Sequence, residues 1–447
     1  MFHNIFGGIH LDSRKDGTRR KSLAVMGVTP ERVIIPVAER GDETSQCRVS
    51  VGDTVTEGQP IAETAQGVII HASIAGQVEA IEPRPHPNGE RVLCVVICAD
   101  GTDARWLDHP EPVDDPAALD AEEIISRIEQ AGVVGMGGGG YPAAAKLRAA
   151  RGRVDTVIVN AAESEPYITA DHRILLEKGD AILTAVKILM KAVDAADGAV
   201  AVEADKLNAV ELLERKVTKG KLNVRVAAIP ARYPLGAEKQ VIKTVTGREV
   251  PPGGNAIDVN CVVFNAATAY AVYRAVKKGR PLTRRVVTVT GGAMTQPRNL
   301  WVPIGTPVSE VIRAAGGFRE KPDLVLMGGP MMGTAQKELD VPVTKSTNSL
   351  ICMLGWEHHQ PAEETVCIRC GRCVAACPMH LMPLLVDKEL KLGAEVSELL
   401  RLNVQDCIGC GCCTYICPSA IPLLERMAQA RRLVESAEKG QDGEVLP

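Results

Sequence analysis

Aromatic side chains make up only 3% of the 447 residues, too few to build the stacking platforms on which single-stranded nucleic acids are held. Neither sign of charge dominates: 51 basic against 55 acidic residues leave a formal net charge of -4, which argues against an extended nucleic-acid surface. Nowhere is there an uninterrupted apolar run of the roughly 18 to 20 residues that a bilayer span requires, so any membrane attachment is expected to go through partners. The opening stretch Met1–Gly17 lacks the basic region, apolar run and small-residue cleavage site of a secretory leader, and a cytoplasmic location is expected. The remaining composition, 45% hydrophobic and 24% charged, is that of a soluble globular chain. Its length suggests about three domains at roughly 150 residues each.

What is plentiful is cysteine, and it is unevenly placed: nine of the 14 fall between Cys367 and Cys417. Crowding of this kind points to metal rather than to the dispersed disulfides of a small secreted domain. The first run reads Cys367-Ile-Arg-Cys370-Gly-Arg-Cys373-Val-Ala-Ala-Cys377-Pro378, the second Cys407-Ile-Gly-Cys410-Gly-Cys412-Cys413-Thr-Tyr-Ile-Cys417-Pro418. Both fit C-x2-C-x2-C-x3-C-P, in which three closely spaced thiolates hold one 4Fe-4S cubane and the fourth, turned away by proline, reaches the other. By that rule Cys367, Cys370, Cys373 and Cys417 hold one cluster, and Cys407, Cys410, Cys413 and Cys377 the second. The alternative is a pair of structural zinc sites, but zinc needs neither the third cysteine nor the proline. Cys412 lies outside both quartets and is expected to be a free thiol packed nearby. Cys47, Cys94, Cys98, Cys261 and Cys352 are isolated and read as small buried hydrophobes. Between the runs, Leu384–Leu402 has a helical apolar rhythm that predicts core packing beside the clusters. A module of this kind passes single electrons between a donor and an acceptor.

Upstream, Gly135-Met136-Gly137-Gly138-Gly139-Gly140-Tyr141-Pro142 follows the helical stretch Glu122–Ala131. Without side chains, successive amides can point into one concavity, and a following helix start adds its positive end to anion binding. Lys146 is placed to close such a site. Glycine clusters also form plain mobile loops, so the signal alone is of moderate specificity. Next, Val154–Val159 is a β-rich run ending in Asn160-Ala161-Ala162-Glu163-Ser164-Glu165-Pro166-Tyr167, which sets two carboxylates at a strand's C-terminal end, where ligands bind in α/β sheets. A solvated acidic turn is the other reading. Helix over Ala181–Ala195, strand over Gly198–Val202, helix over Leu207–Val217 and strand over Val224–Ile229 then give a βαβ rhythm and predict a largely parallel sheet.

With the glycine loop, the Asn160–Pro166 segment and the cysteine runs together, the chain resembles the C subunit of the Rnf complex, a membrane-associated NADH:ferredoxin oxidoreductase. Further matches are Phe6–His10, Tyr233–Gln240, Thr246–Pro251 and Asn265–Ala271, and the likeness runs over essentially the whole chain. The central part is also similar to the flavin-bearing NADH-oxidising subunit of respiratory complex I. The resemblance implies FMN lined by Gly135, Gly137, Gly138, Lys146, Asn160, Glu163, Gly236 and Glu238, with Asn265 and Thr268 at its phosphate. It implies NADH as substrate, with Glu165 at the nicotinamide and Glu238 a second acid near the cofactors; these two are the candidate catalytic residues. Met136 stands where the complex I loop has arginine, Ala162 replaces an aspartate, and Gly139-Gly140 replaces Ala-Gly.

The expected fold is multidomain α/β and α+β. Residues 1–110 look like a lipoyl-type β hammerhead, or barrel sandwich. Its hairpin tip, Glu63-Thr64-Ala65-Gln66-Gly67, has no lysine, so it cannot carry an acyl group. Residues 111–283 form a Rossmann-like FMN/NADH domain, 284–345 a small β-grasp domain of the SLBB type, 355–430 an α-helical ferredoxin domain with two 4Fe-4S clusters, and 431–447 a polar tail. The implied role is electron input at the cytoplasmic face of the bacterial inner membrane. Its partners are integral-membrane and iron-sulfur subunits, with ferredoxin acting at the level of the complex. The rivals are a soluble cobalamin reductase of similar architecture and a non-enzymatic iron-sulfur relay whose glycine loop binds nothing.

Overall fold

The computed structural model describes residues 6–37, 45–358 and 363–441. Its centre is a parallel four-stranded sheet in the order Arg225–Ile229, Asp197–Glu203, Thr156–Ala161, Cys261–Asn265. Helices α1 (Ala121–Gln130), α2 (Ala143–Ala150), α3 (Ala170–Val193), α4 (Leu207–Gly220), α5 (Glu238–Thr246) and α6 (Ala266–Lys278) surround it. Strand Thr156–Ala161 is apolar at successive positions because both faces are covered. Val157 and Val159 pack with α1, α3 and α6 on one face, while Ile158 meets Val241, Ile242 and Val245 of α5 on the other. The chain leaves this strand to one side for Asp197–Glu203 and returns on the opposite side for Cys261–Asn265. The carboxyl ends of Thr156–Ala161 and Cys261–Asn265 therefore flank a topological switch point, where a crevice opens.

Around this centre sit three smaller units. The N-terminal unit has an antiparallel sheet of Arg32–Pro36, Arg91–Ala99, Gly76–Pro85 and Thr54–Val55, and a second of Gln46–Cys47, Pro60–Glu63 and Ile69–His71. The hairpin tip is closed by Gly67 N–H donating to Thr64 O at 2.9 Å. A six-stranded mixed sheet contains Arg284–Thr290 and Arg298–Pro303, and it is larger than the 284–345 expected from sequence. It takes in Ala24–Val25, paired with Leu300 and Trp301, and Ser349–Met353, paired with Thr288–Thr290. Pairing across such sequence separations leaves no local signature, which is why the sequence alone sets the boundary short.

The C-terminal unit is helical. The single rhythm expected over Leu384–Leu402 is two helices, Pro383–Lys391 and Val396–Arg401, separated where Gly393 takes a left-handed φ of 86°. In place of the polar tail expected from residue 431, helix Leu423–Gln441 runs through that boundary. Val434 is fully buried with Val386 and Leu399, so the helical unit extends past 430. Residues 442–447 lie outside those described.

Candidate flavin and iron-sulfur site

The segment Phe6–Lys15 stitches the helical unit to the sheet. Phe6 stacks on His380 at 4.7 Å between ring centroids, Gly8 N–H donates to Ala376 O at 2.9 Å, and Ile9 and Tyr233 exchange backbone hydrogen bonds at 2.7 and 3.0 Å. Gly7 and Gly8 have φ of 72° and 75°, and a Cβ on them would stand 2.5 Å from Cys377 O and 2.6 Å from Tyr233 O. Only glycine combines that backbone with that closeness. Further along, Ser13 O accepts from Tyr167 N–H at 2.8 Å, and Lys15 Nζ donates to Glu163 O.

At the switch point lies a cavity of about 480 Å³, within the size range of cofactor sites. Of the residues expected at flavin or nicotinamide, Gly135, Gly137, Lys146, Asn160, Glu163, Glu165, Gly236, Glu238, Asn265 and Thr268 all line it; Gly138 does not. At Gly138 and Gly139 a Cβ would meet nothing within 4 Å, and Gly138 sits at φ 114°, so the loop presents bare backbone. These features fit a flat, phosphate-bearing group: an open glycine rim, a lysine, and the N-terminus of α6 at one end.

Several of these side chains are already engaged with the protein. Asn265 Oδ1 caps α6, accepting from Ala267 N–H at 2.9 Å, and its amide donates to Asp171 at 2.6 Å. Thr268 Oγ1 accepts from Met136 N–H at 2.8 Å, which locks the glycine loop to α6. Asn160 donates to Gly236 O at 2.8 Å. Glu163, in a left-handed conformation, accepts from Asp171 N–H at 2.7 Å at the start of α3. Burial pushes its carboxyl up to about 8, with Lys15 and Lys206 opposing that rise. Its side chain thus caps the start of α3 from the cavity wall. Lys146 and Glu238, expected separately at the flavin, form one ion pair at 2.6 Å.

Glu165 is different. Its Oε2 accepts from Met331 N–H at 3.1 Å, while Oε1 is buried without a hydrogen-bond partner. Burial raises its pKa to about 7, against the lowering effect of the Met331 and Met332 amides. Those amides belong to the loop Gly328-Gly329-Pro330-Met331-Met332-Gly333 of the mixed-sheet unit, which sequence reasoning missed. Its glycine-rich composition was the available signal: a Cβ on Gly329 would stand 2.3 Å from Glu165 Cδ. Also missed were Asp171, Tyr233, Arg285 and Asn348, which line the cavity. Arg285 is buried and donates to Lys345 O and to Met136 O.

The two cysteine runs repeat one backbone course. Arg369 and Gly371 in the first, and Gly409 and Gly411 in the second, are left-handed, each followed by a short helix, Arg372–Ala376 or Cys412–Tyr415. Cys377, Cys407, Cys410, Cys412 and Cys413 line a common cavity, while Cys367, Cys373, Cys413 and Cys417 pack with Ile421 and Leu423. Cys377 thus leaves its own run for the second, and Cys417 joins the first. A small cavity walled by five cysteines suits a cubane. Cys412 is fully buried with Ile9, Tyr233 and Ala376. The most telling feature is that Ile408 and Cys410 also line the crevice of the glycine loop, and Tyr233 OH donates to Cys410 O at 2.8 Å.

Together the glycine-rimmed crevice and the paired cysteine runs define a flavin- and iron-sulfur-containing electron-transfer protein. Residues 128–274 match the Nuo51 FMN-binding domain, 3–102 the RnfC barrel sandwich hybrid domain, 286–335 the SLBB domain and 361–418 the 4Fe-4S dicluster domain. The chain is 39% identical over 386 residues to the C subunit of the proton-translocating ferredoxin:NAD+ oxidoreductase complex of Clostridium ljungdahlii, covering 86% of this chain and 83% of that one. It is 39% identical to the C subunit of the Na+-translocating complex of Acetobacterium woodii, covering 86% of each. Against the C subunit of the ion-translocating oxidoreductase complex of Cronobacter sakazakii it is 39% identical and spans 48% of the longer relative. The chain belongs to the C-subunit family of ion-translocating ferredoxin:NAD+ oxidoreductase (Rnf) complexes. In fold it is similar to a chain of the NAD+-reducing NiFe-hydrogenase crystallised in the H2-reduced state, with TM-score 0.51, 18% identity, 73% of this chain and 63% of that one.

Proposed function

We propose that this chain is the electron-input subunit of a membrane-bound, ion-translocating NADH:ferredoxin oxidoreductase complex, taking hydride from NADH. We place it peripherally at the cytoplasmic face of the bacterial inner membrane, beside integral-membrane and iron-sulfur partner subunits. No helix among the described residues is long and apolar enough to cross a membrane. We further read the N-terminal unit as a lipoyl-type hammerhead, the centre as Rossmann-like and the mixed-sheet unit as a β-grasp.

The observation that carries this reading is the shared wall: Ile408 and Cys410 of the cysteine module border the same crevice as the glycine loop and Glu165. Bound FMN supplies the conversion of a two-electron hydride into single electrons, which a cluster can accept. The backbone around Gly137 and Gly139 would admit the ring, Asn160 and Gly236 would shape the opposite wall, and the α6 end held by Asn265 and Thr268 would face its phosphate. Glu165, with one oxygen unpartnered, is poised to receive the nicotinamide. Lys146 and Glu238 span the crevice and must readjust as it fills. Cys377, Cys407, Cys410 and Cys413 hold the cluster on the crevice side. Cys367, Cys370, Cys373 and Cys417 hold the outer one, and the exposure of Cys370 turns that cluster toward a partner. The test is anaerobic addition of NADH to protein carrying FMN and both clusters. Bleaching of the flavin followed by cluster reduction is expected; an unbleached flavin would reduce the chain to a passive relay.

A further inference from the structure

A second cavity, of about 240 Å³, lies away from the crevice where the N-terminal unit meets α6 and the link to the mixed sheet. It is lined by Glu57, Gly58, Arg105, His109, Arg274, Arg280, Pro281 and Thr283. Three guanidinium groups and an imidazole thus face one carboxylate, and that carboxylate is already shared. Glu57 Oε1 accepts from Thr283 Oγ1 at 3.1 Å and Arg284 Nε at 3.3 Å, and Oε2 lies 3.9 Å from Arg105. No hydrogen bond or ion pair is made by the guanidinium of Arg274 or Arg280 among the described residues. Arg274 lies instead over the Trp301 ring at 5.1 Å, and burial together with the neighbouring Arg284 and Arg280 disfavours its charge, against the attraction of Tyr270 and Glu57. His109 Nδ1 is 3.2 Å from Pro110 O.

The walls are held by contacts between separate units. A Cβ on Gly279 would stand 1.8 Å from Pro110 O, and one on Gly58 would stand 3.1 Å from Pro281. Within the N-terminal unit, Trp106 N–H donates to Glu57 O at 2.9 Å. Converging like charges, of which Arg274 and Arg280 lack a hydrogen-bond or ion-pair partner among the described residues, cost free energy in a polar cavity that an anion entering between them would recover. Planar guanidinium forks match phosphate oxygens bidentately, with charge-assisted hydrogen bonds. The space is several times the roughly 30 Å³ that one water occupies in the liquid, enough for one phosphate group or two joined.

We propose that Arg105, Arg274, Arg280 and His109 form a binding site for a phosphate or diphosphate anion, separate from the flavin crevice. The group could be presented by a free nucleotide or by a phospholipid headgroup, and the test distinguishes the two. Protein loaded with FMN and clusters, its crevice thus filled, is titrated calorimetrically with pyrophosphate at constant ionic strength. One site per chain is expected. Arg280→Gln and Arg274→Gln are each expected to weaken it at least tenfold while flavin content and visible spectrum stay unchanged. Displacement of pyrophosphate by ADP but not by NADH would assign the group to a nucleotide. Arg280-dependent sedimentation with phosphatidylglycerol vesicles would assign it to a lipid. No heat beyond the ionic-strength control would overturn the proposal, as would pyrophosphate binding that Arg280→Gln leaves intact, even were Arg274→Gln to lose fold with its Trp301 contact.

Discussion

At the scale of single residues, Glu165 is the side chain on which the input reading depends most directly. Glu165→Gln removes charge with almost no change of volume, so FMN is expected to stay bound while NADH-dependent flavin bleaching slows, because nicotinamide positioning suffers. Dithionite should still reduce both clusters. The same substitution has a signature in stability. Burial lifts the Glu165 pKa from 4.5 to about 7, so between those values the folded state binds more proton than the unfolded one, and stability falls as pH rises. The thermal midpoint of Glu165→Gln should therefore gain on wild type between pH 5 and 7 and keep that gain above it. An unchanged difference across this range would mean that the carboxyl is not desolvated as the structure indicates. Among the cysteines, Cys417→Ala is expected to damage the cluster held by Cys367, Cys370 and Cys373, visible in the electron paramagnetic resonance spectrum. Cys412→Ala should leave both clusters intact, since Cys412 falls outside both proposed quartets although it shares a cavity wall with Cys410.

At the scale of elements, the glycine loop and α6 act as one piece. A Cβ at Gly137 would meet Asn265 Cβ at 3.2 Å, so Gly137→Val presses on the residue that caps α6 as well as narrowing the crevice. Flavin should be lost on gel filtration, with a fall in stability of about 1 kcal/mol, the usual size of a lost N-cap; the iron content should not change. The Gly328–Gly333 loop makes a comparable link from another unit. Gly329→Ala places a methyl where the Glu165 carboxylate stands, and it is expected to slow NADH-dependent bleaching much as Glu165→Gln does. Normal NADH reduction in Gly329→Ala would show that the loop does not hold the acid in place.

At the scale of the whole molecule, two quartets of thiolates predict about eight irons and eight sulfides per anaerobically purified chain, the content of two cubanes. Stoichiometric zinc in their place would refute both quartets. In the proposed assignment, one quartet includes the crevice-lining Cys410, the other the exposed Cys370. Three units meet at the flavin crevice, and residues 6–25 touch all of them, from His380 through Tyr233 and Tyr167 to Leu300.

The two-cluster cysteine module was legible from spacing, because a cubane's ligands must come at short fixed intervals and the chain supplies them twice. The parallel sheet was legible from apolar runs alternating with helical stretches, since two-sided burial imposes them locally. Spacing could not show that Glu163 and Asn265 cap helices, or that Lys146 pairs with Glu238 across the cavity, because those partners are brought together only by folding. Nor could it show that Gly329 packs on Glu165, that Cys410 walls the flavin crevice, or that Arg105, Arg274 and Arg280 converge. Each of these joins segments far apart in the chain, and the contact exists only once the sheet, the N-terminal unit and the cysteine module have packed together.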